Sequence, residues 1–327
     1  MIARTALVTH PDALRHDTGP GHPERPERVA ALLDALRSDA ALRGAVAERT
    51  GRHATDEELL RVHTPEHLDR VRAAVDRAAR TGHAFLDSDT VVSAASFDAA
   101  RAAAGSVCVA VDLVAERAVA NAFCAVRPPG HHATADRAMG FCLFNNVAVG
   151  VRYAQARWSW RRAVIVDWDL HHGNGTQEIF YEDADVHYVS VHQSPLYPGT
   201  GAAHERGRGP GLGRTTNLPQ PPGRPPDAIV ADLLDAIDRV AAEFRPDAVF
   251  VSAGFDAAGG DPLGQLTLRP ADFATWTARL LDWAASACEG RVISVLEGGY
   301  ALANLRACGR AHVRTLASVQ PAVPESP

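Results

Sequence analysis

Lysine is absent from the 327-residue sequence, so arginine alone supplies its 33 basic side chains. Against 39 acidic residues, these leave a formal net charge of −6. A chain without a basic excess lacks the electrostatic footprint of a nucleic-acid-binding protein, so we expect no nucleic-acid partner. We attribute the absence of lysine, together with the many alanines, to the base composition of the genome.

Cysteine is scarce, and long apolar runs are missing. The five cysteines are scattered without a C-x-x-C pair, which indicates reduced thiols in a reducing compartment. No stretch reaches the roughly 18 consecutive apolar residues of a membrane-spanning helix, and residues 1–10 lack the apolar segment of a signal peptide. We therefore expect a cytoplasmic protein with no membrane association.

The composition that remains is typical of a globular protein, with 46% apolar and 22% charged residues. Neither an internal repeat nor a linker divides the chain. We therefore predict one domain over residues 1–320 and a disordered tail over residues 321–327. The stretch 207–226, rich in glycine and proline, is predicted to be the one long loop.

From residue 121 onward, patterns typical of strands and of helices alternate. We predict strands at 122–126, 164–167, 186–192, 248–253 and 292–296, and helices at 147–157, 177–181, 228–244, 270–287 and 301–318. Strict alternation implies right-handed crossovers and a mostly parallel sheet covered by helices on both faces. Before this region we predict a strand at 6–9 and helices at 29–37, 65–80 and 96–116.

Two features of the N-terminal part concern helix entries. The loop at residues 21–28, rich in proline and charge, is either a rim over a site or an ordinary helix entry with a proline near its first position. Thr55 and Thr64 are typical N-cap residues, and Pro65 suits the first turn of the helix that follows.

The segment 164–175 organises the chain. It opens with an apolar, β-branched run typical of a buried strand, and Asp167, Asp169 and His171 follow at alternate positions. Because alternate residues of a strand share a face, these three side chains are expected to point the same way. Carboxylates and an imidazole without a thiolate suit zinc or a similar ion. A strand end with solvated polar residues is the alternative.

Polar or glycine-rich clusters follow five consecutive predicted strands, at residues 127–132, 167–175, 192–201, 252–256 and 297–300. In open parallel sheets, sites lie at the carboxyl ends of strands, so we expect one shared site. Asp256 would complete a set of three metal ligands and leave the open positions of a catalytic metal. An Asx-turn is the alternative role for Asp256.

The other candidates each have two interpretations. His131 and His132 are either a base and its partner or two structural histidines. Tyr300 either aims its phenol at a developing oxyanion or packs on the sheet. Gly298 and Gly299 either form an ordinary turn or let a substrate approach the backbone.

Six motifs resemble those of the histone deacetylase superfamily: R-P-P-G-H-H-A (127–133), G-F-C-L-F-N-N (140–146), D-W-D-L-H-H-G-N-G-T (167–176), Y-P-G-T-G (197–201), S-A-G-F-D (252–256) and L-E-G-G-Y (296–300). They occur in the family's order. Trp168, Asn174 and Glu297 resemble the class II branch and the bacterial deacetylase-like amidohydrolases. The resemblance implies an arginase-like, three-layer α/β/α fold with a central, mostly parallel sheet of about eight strands.

The resemblance also implies roles for residues at matching motif positions. A catalytic zinc ion would be bound by Asp169, His171 and Asp256. The two imidazoles flanking its water molecule would be His131, oriented by Asp167, and His132, oriented by Asn174. Tyr300 would hydrogen-bond the scissile carbonyl. The substrate tunnel would be lined or gated by Phe141, Tyr197, Leu263, Gly298 and Gly299. Asp89 either accepts hydrogen bonds from the backbone N–H groups of a peptide substrate at this tunnel or serves as a cap before a helix.

A structural potassium ion is implied as well, bound by Asp167 and Ser190 together with backbone carbonyls around Asp169, His171 and Val191. A second potassium ion near Phe180, Asp183 and Val186 transfers less well.

The resemblance implies a zinc-dependent amidohydrolase that removes acetyl or other acyl groups from the ε-amine of lysine. Its partner would be an acyl-lysine protein or peptide, or an acylated small amine, and a homo-oligomer is left open. Two alternatives remain: an acetylpolyamine amidohydrolase, and an inactive acyl-lysine-binding protein that kept the fold. An uncharged Leu263 at the gate favours acyl-lysine, because burying a polyamine ammonium against it is unfavourable.

Overall fold

The computed structural model describes residues 5–318. Eight strands form a central sheet in which every pair of hydrogen-bonded neighbours is parallel. From edge to edge they are β2 (Val46–Thr50), β1 (Thr5–Thr9), β5 (Asn121–Cys124), β10 (Val292–Leu296), β9 (Ala248–Ala253), β6 (Ala163–Asp167), β7 (Val186–Gln193) and β8 (Thr215–Gln220). The predicted architecture and strand number are therefore confirmed.

Helices cover both faces of the sheet, and each layer has its own apolar core. On one face lie α1 (Glu27–Arg37), α7 (Pro226–Glu243), α8 (Pro270–Ala287) and α9 (Leu302–Ser318). On the other lie α2 (Asp56–Leu60), α3 (Pro65–Thr81), α4 (Ser96–Ala115) and α5 (Asn146–Trp158). The short helix α6 (Asn174–Phe180) follows β6, and a small antiparallel hairpin pairs β3 (Ala84–Phe85) with β4 (Val91–Val92).

Side-chain caps begin two of the helices as predicted. The Thr64 hydroxyl accepts the backbone N–H of His67, and Pro65 occupies the first position of α3. Thr55 and Glu58 form a reciprocal capping box at the start of α2. Each such cap contributes about 1 kcal/mol, which is sufficient to fix where a helix begins.

The predicted long loop at residues 207–226 is wrong in its second half, because β8 lies there and pairs with β7. Pro219 interrupts the pattern typical of a strand, but an edge strand tolerates a proline that has no N–H to donate. The other edge strand, β2, was not predicted either. Its residues are half-buried or exposed and lack an apolar run.

Three further predictions concern the C-terminal tail, membrane-spanning helices and the cysteines. The tail at 321–327 lies outside the described residues, so the division into one domain and a tail stays a prediction. No helix within residues 5–318 is long and apolar enough to cross a membrane. All five cysteines are buried and free of disulfides, as their spacing predicted.

A buried ionic cluster ties the N-terminal loop to the sheet. Oε1 of Glu24 accepts hydrogen bonds from Arg127 Nε at 2.6 Å and from Arg28 Nη1 at 2.9 Å. All three side chains are fully buried. The remaining N–H groups of Arg28 donate to the backbone carbonyls of Glu297 and Gly299. Glu24 and Arg28 therefore anchor the stretch 21–28 in the interior, and α1 begins within this stretch, at Glu27 directly after Pro26.

The charge of Glu24 is held in place by its two partners. Burial alone would raise the pKa of this carboxyl, but Arg127 and Arg28 outweigh burial and hold the pKa well below its usual range. A carboxyl whose folded-state pKa is lowered stabilises the fold above its unfolded-state pKa. That contribution is lost as the pH falls through the folded-state value.

We predict that Glu24→Gln lowers the free energy of unfolding by about 3–5 kcal/mol, because it leaves an uncompensated buried guanidinium charge. Urea unfolding measures the change. The difference in unfolding free energy between the wild type and Glu24→Gln should become smaller below about pH 4.3, because the ionised Glu24 carboxyl then stabilises the wild type less. Arg37→Gln is the control, since its ion pair with Glu48 is half exposed and should contribute less than about 1 kcal/mol. Equal effects of the two substitutions would contradict the prediction.

Candidate functional site

Three candidate metal ligands meet at the carboxyl ends of two neighbouring strands. Asp169 and His171 follow β6, and Asp256 follows β9. Nδ1 of His171 lies 3.1 Å from Oδ1 of Asp169 and 3.1 Å from Oδ2 of Asp256. One ligand atom from each of the three lies within 4.8 Å of the other two, and all three residues are buried.

Backbone N–H groups hold the far oxygen of each carboxylate. Gly298 N donates to Oδ2 of Asp169 at 2.7 Å, and Leu170 N donates to Oδ1 of Asp256 at 2.8 Å. A Cβ atom at Gly298 would lie only 2.2 Å from Oδ2 of Asp256, so this position requires glycine. The close approach that Gly298 permits here is that of two carboxylates, and the approach of a substrate to its backbone stays a prediction.

The three ligand atoms fit a divalent cation. Two carboxylate oxygens and one imidazole nitrogen form a donor set without a thiolate, as in open catalytic zinc sites. Burial, together with the neighbouring charge of Asp169, raises the pKa of the Asp256 carboxyl to about 7. A bound cation would offset this repulsion and favour the ionised form of both carboxyls.

Two imidazoles lie directly beside this cluster. The ring centroids of His131 and His132 are 4.1 Å apart. Nδ1 of His131 lies 3.0 Å from Oδ2 of Asp167, and Nδ1 of His132 lies 2.8 Å from Oδ1 of Asn174. The predicted orienting partners are therefore in hydrogen-bond contact with their histidines. Nε2 of His131 also approaches Asp169 to 3.7 Å.

The two imidazoles have opposite electrostatic surroundings. Burial lowers the pKa of His131, but the carboxylates of Asp167 and Asp169 outweigh burial and raise it to about 10. Burial lowers the pKa of His132 well below its usual value, and the charges of His131 and His171 lower it further. The arrangement therefore favours a charged His131 next to a neutral His132.

Two supporting residues were not predicted from the sequence. The carboxylate of Glu297 accepts the backbone N–H groups of Gly130 and His131 at 2.7 and 3.1 Å. The Tyr188 hydroxyl donates to Oδ2 of Asp167 at 3.0 Å. In the sequence, Glu297 stands out only as a residue that resembles the class II branch. Tyr188 shares a face of β7 with Ser190, and this alternation was its one indication in the sequence.

Tyr300 lies on the loop after β10, and its ring is buried. The guanidinium carbon of Arg28 lies 4.8 Å from the ring centroid, and the Phe141 ring is 5.9 Å away. Both oxygens of Asp261 hold nearby backbone, and Oδ2 accepts Tyr300 N at 2.7 Å. Within residues 5–318, no group hydrogen-bonds the Tyr300 hydroxyl. The backbone of Tyr300 is therefore held by hydrogen bonds, while its phenol hydroxyl is available to a ligand.

Two predicted tunnel residues pack against catalytic candidates, Tyr197 against His132 and Phe141 against Tyr300. The Tyr197 ring centroid is 5.2 Å from that of His132, and Tyr197 is 38% exposed. Phe141 N donates to the hydroxyl of Thr90, next to Asp89. Leu263 is half-buried, and its N–H donates to Asp261, the residue that holds Tyr300. Gly299 has a φ of +120°, which only glycine adopts freely.

Three of the residues predicted for potassium binding lie on the neighbouring strands β6 and β7, and Asp169 and His171 follow β6. Ser190 is the register partner of Asp167 across β6 and β7, and Val191 follows it. The Ser190 hydroxyl lies 2.9 Å from Nδ1 of His192. Near the second predicted site, the carboxylate of Asp183 pairs with Arg152. Both potassium assignments stay predictions.

A second group of two imidazoles and a carboxylate lies elsewhere, at His10, Asp12 and His53. Here hydrogen bonds already use the polar atoms. Nε2 of His53 lies 2.7 Å from Oδ2 of Asp12, while Arg15 donates to Oδ1 at 2.8 Å. Nδ1 of His10 accepts the N–H of Asp12. This group is explained as a surface hydrogen-bond network.

Known proteins resemble the chain over most of its length. The histone deacetylase domain family matches residues 22–316. A probable deacetylase of Archaeoglobus fulgidus is 39% identical over 299 residues, which are 91% of this chain and 82% of that protein. The histone deacetylase-like amidohydrolase of Pseudomonas aeruginosa is 38% identical, over 99% of this chain and 88% of its own length.

Histone deacetylase 15 of Arabidopsis thaliana is 42% identical over 92% of this chain, which spans about half (53%) of that longer protein. The crystal structure of the HDA15 HD domain matches with a TM-score of 0.87 and 39% identity, over 99% of this chain and 91% of that one. The motifs, the sheet and these relatives agree. The chain belongs to the histone deacetylase family of amide-hydrolysing deacetylases.

Proposed function

We propose that the chain is a zinc-dependent amidohydrolase that removes acetyl or other acyl groups from the ε-amine of lysine in proteins or peptides. The observation that carries the proposal is the convergence of Asp169, His171 and Asp256 beside the His131–His132 pair. These three residues would hold the ion. When bound, zinc supplies Lewis-acid chemistry, polarising the amide carbonyl and bringing the pKa of water toward about 7.

His132 is suited to move the protons of this reaction. Since Asn174 presents its carbonyl oxygen to Nδ1, that nitrogen carries the hydrogen and Nε2 is left as the acceptor. The lowered pKa keeps the ring neutral at physiological pH. Nε2 can therefore accept a proton from the attacking water and return one to the departing lysine amine.

His131 and Tyr300 are suited to stabilise negative charge on the carbonyl oxygen. His131 is held in its charged form by Asp167, which accepts its Nδ1–H. Burial raises the pKa of the Tyr300 phenol well above its usual value, so the hydroxyl stays protonated and can donate. An oxyanion donor of this kind contributes about 3–4 kcal/mol to transition-state stabilisation.

The proposed substrate class rests on Leu263. Asp261 accepts the backbone N–H groups of both Tyr300 and Leu263, which supports a position for Leu263 near the entrance of the substrate stem. A leucine offers no partner for the secondary ammonium of an acetylpolyamine. An acyl-lysine peptide presents neutral methylene groups and an amide instead. The aromatic rings of Phe141 and Tyr197 suit such a stem.

We also propose a structural potassium ion near the base of the same loops. Its support is the position of Ser190 beside Asp167 on neighbouring strands. Oxygen ligands from a carboxylate, a hydroxyl and backbone carbonyls would suit a hard cation of this kind.

We predict that the purified protein binds about one zinc ion per chain and that Asp256→Asn loses both the ion and the activity. Removing one anionic ligand weakens the site, whereas the fold keeps its two apolar cores. Elemental analysis of the chromatographically purified protein measures zinc. His53→Ala is the matched control, since it alters the surface group of two imidazoles and a carboxylate. Two ions in the site, or full activity after chelation, would show the assignment to be wrong.

We predict that Tyr300→Phe lowers kcat by about 100-fold or more with little change in KM, since its hydroxyl acts on charge that develops only in the transition state. Steady-state kinetics on an acetyl-lysine peptide measures both constants. Tyr188→Phe is a comparison with a phenol that contacts Asp167 rather than substrate. An unchanged kcat in Tyr300→Phe would remove it from the oxyanion role.

We predict that the wild type has a higher kcat/KM for acetyl-lysine peptides than for acetylspermidine, and that Leu263→Glu narrows or reverses this preference. The new carboxylate would give the polyamine ammonium a partner. Leu212→Glu introduces the same charge at an exposed leucine on the segment before β8 and serves as the control. A wild type that prefers acetylspermidine would favour the acetylpolyamine amidohydrolase alternative.

A further inference from the structure

Tyr197 is more exposed than Phe141, the other aromatic residue of the proposed tunnel. Its ring packs edge-on against His132 and lies 6.4 Å from the ring of His171. It belongs to the segment 194–201, which connects β7 to the turns before β8, and much of its surface is exposed. Something other than core packing must therefore fix where this ring stands.

A hydrogen bond from the end of that segment provides one attachment. The Thr200 hydroxyl lies 2.7 Å from Nδ1 of His172, and Nε2 of His172 lies 3.0 Å from Oε1 of Gln177. Asn217 Nδ2 donates to the same Oε1, which identifies that atom as the carbonyl oxygen. His172 therefore carries its hydrogen on Nε2, and Nδ1 accepts the hydroxyl proton of Thr200.

The same network reaches the segment at a second point. The side-chain amide of Gln177 donates to Oε2 of Glu205 at 2.6 Å, and the Glu205 carboxylate accepts the backbone N–H groups of Gly201 and Ala202. A chain of hydrogen bonds thus runs from the buried His172 and Gln177, through the partly buried Glu205, to the backbone just after Thr200. Every link has a complementary donor and acceptor, so the network favours a single arrangement.

A second imidazole, that of His192, contacts the end of the segment 194–201. Nε2 of His192 lies 3.0 Å from the carbonyl oxygen of Gly201, and Nδ1 lies 2.9 Å from the Ser190 hydroxyl. Gly201 has a φ of +87°, and a Cβ atom there would lie 2.5 Å from His192 and 2.6 Å from His172. The backbone of Gly201 therefore packs directly against the imidazoles of His172 and His192.

We propose that His172 and Thr200 are positioning residues that hold Tyr197 against the reacting centre. His172 directly follows the candidate ligand His171, so one short stretch of backbone places the metal site and anchors the tunnel wall. The proposal rests on the proposed deacylase function and deepens it. Loss of the Thr200 hydroxyl would loosen Tyr197 and weaken the grip on the acyl-lysine stem, while leaving the reacting groups in place.

Thr200 is the position at which this role can be tested cleanly. It is exposed, so Thr200→Val removes the hydroxyl with little change to the core. Thr200→Ser keeps the hydroxyl and is the conservative variant. The matched control is Thr216→Val, which removes a similar hydroxyl contact to an imidazole, at 3.1 Å from Nε2 of His187, away from the tunnel segment.

We expect Thr200→Val to raise KM for an acetyl-lysine peptide about fivefold, the usual effect of losing one hydrogen bond, with kcat changed less than about twofold. Zinc content should be unchanged. Thr200→Ser and Thr216→Val should both stay close to the wild type. An unchanged KM in Thr200→Val, or an equal rise in Thr216→Val, would overturn the proposal.

A double-mutant cycle tests whether Thr200 acts through Tyr197. If it does, Thr200→Val has no further effect on KM once Tyr197→Ala has removed the ring. Effects that add independently would show that Thr200 acts in another way.

Hydrogen exchange gives a readout that needs no activity. Thr200→Val should speed amide exchange in peptides covering 194–201, and Thr216→Val should leave those peptides unchanged. Unchanged exchange in Thr200→Val would overturn the anchoring role whatever the kinetics show. If the wild type hydrolysed no acyl-lysine substrate, the proposed function would be refuted. Faster exchange in Thr200→Val would in that case still support the anchoring role.

Discussion

Two buried carboxylates that face one imidazole nitrogen are the constraint on which the site depends. Asp169 and Asp256 lie in the protein interior on either side of His171, and their like charges oppose each other. Such a pair is stable only with positive charge nearby and with every other oxygen hydrogen-bonded. The backbone N–H groups of Gly298 and Leu170 donate to the far oxygens. The near oxygen of Asp169 accepts the N–H of His171 and keeps a second lone pair for a cation.

The same negative charge separates the roles of two adjacent histidines. His131 faces Asp167 and approaches Asp169, so its positive form is favoured. His132 faces only the neutral amide of Asn174 and stands next to that positive charge, so its neutral form is favoured. A pair of neighbours in the sequence thereby becomes a cation and a base because their partners differ. Substituting a carboxylate for Asn174 would remove much of this difference.

How far the sequence predicts the structure follows from which contacts are local. The central strands were predicted because burial on both faces demands continuous apolar runs, whereas β2 and β8 at the edges need none. The metal ligands could be predicted because Asp169 and His171 share one short motif and Asp256 follows β9, the neighbour of β6 in the sheet. Glu24 could not be recognised as an anchor, because its partner Arg127 lies 103 positions away and only the folded chain brings them together. Tyr188 reaches Asp167 across two neighbouring strands, and strand alternation alone does not show which residues of adjacent strands meet.

The loop that carries Tyr300 shows how these long-range contacts act together. On one side Gly298 N binds the carboxylate of Asp169, and on the other Arg28 binds the carbonyls of Glu297 and Gly299. Arg28 can be buried there only because Glu24 balances its charge. The backbone of the loop is therefore fixed from both sides, and its free polar group is the phenol hydroxyl. The ionic cluster of Glu24, Arg28 and Arg127 thus helps to determine where the hydrogen-bond donor of Tyr300 stands in the site.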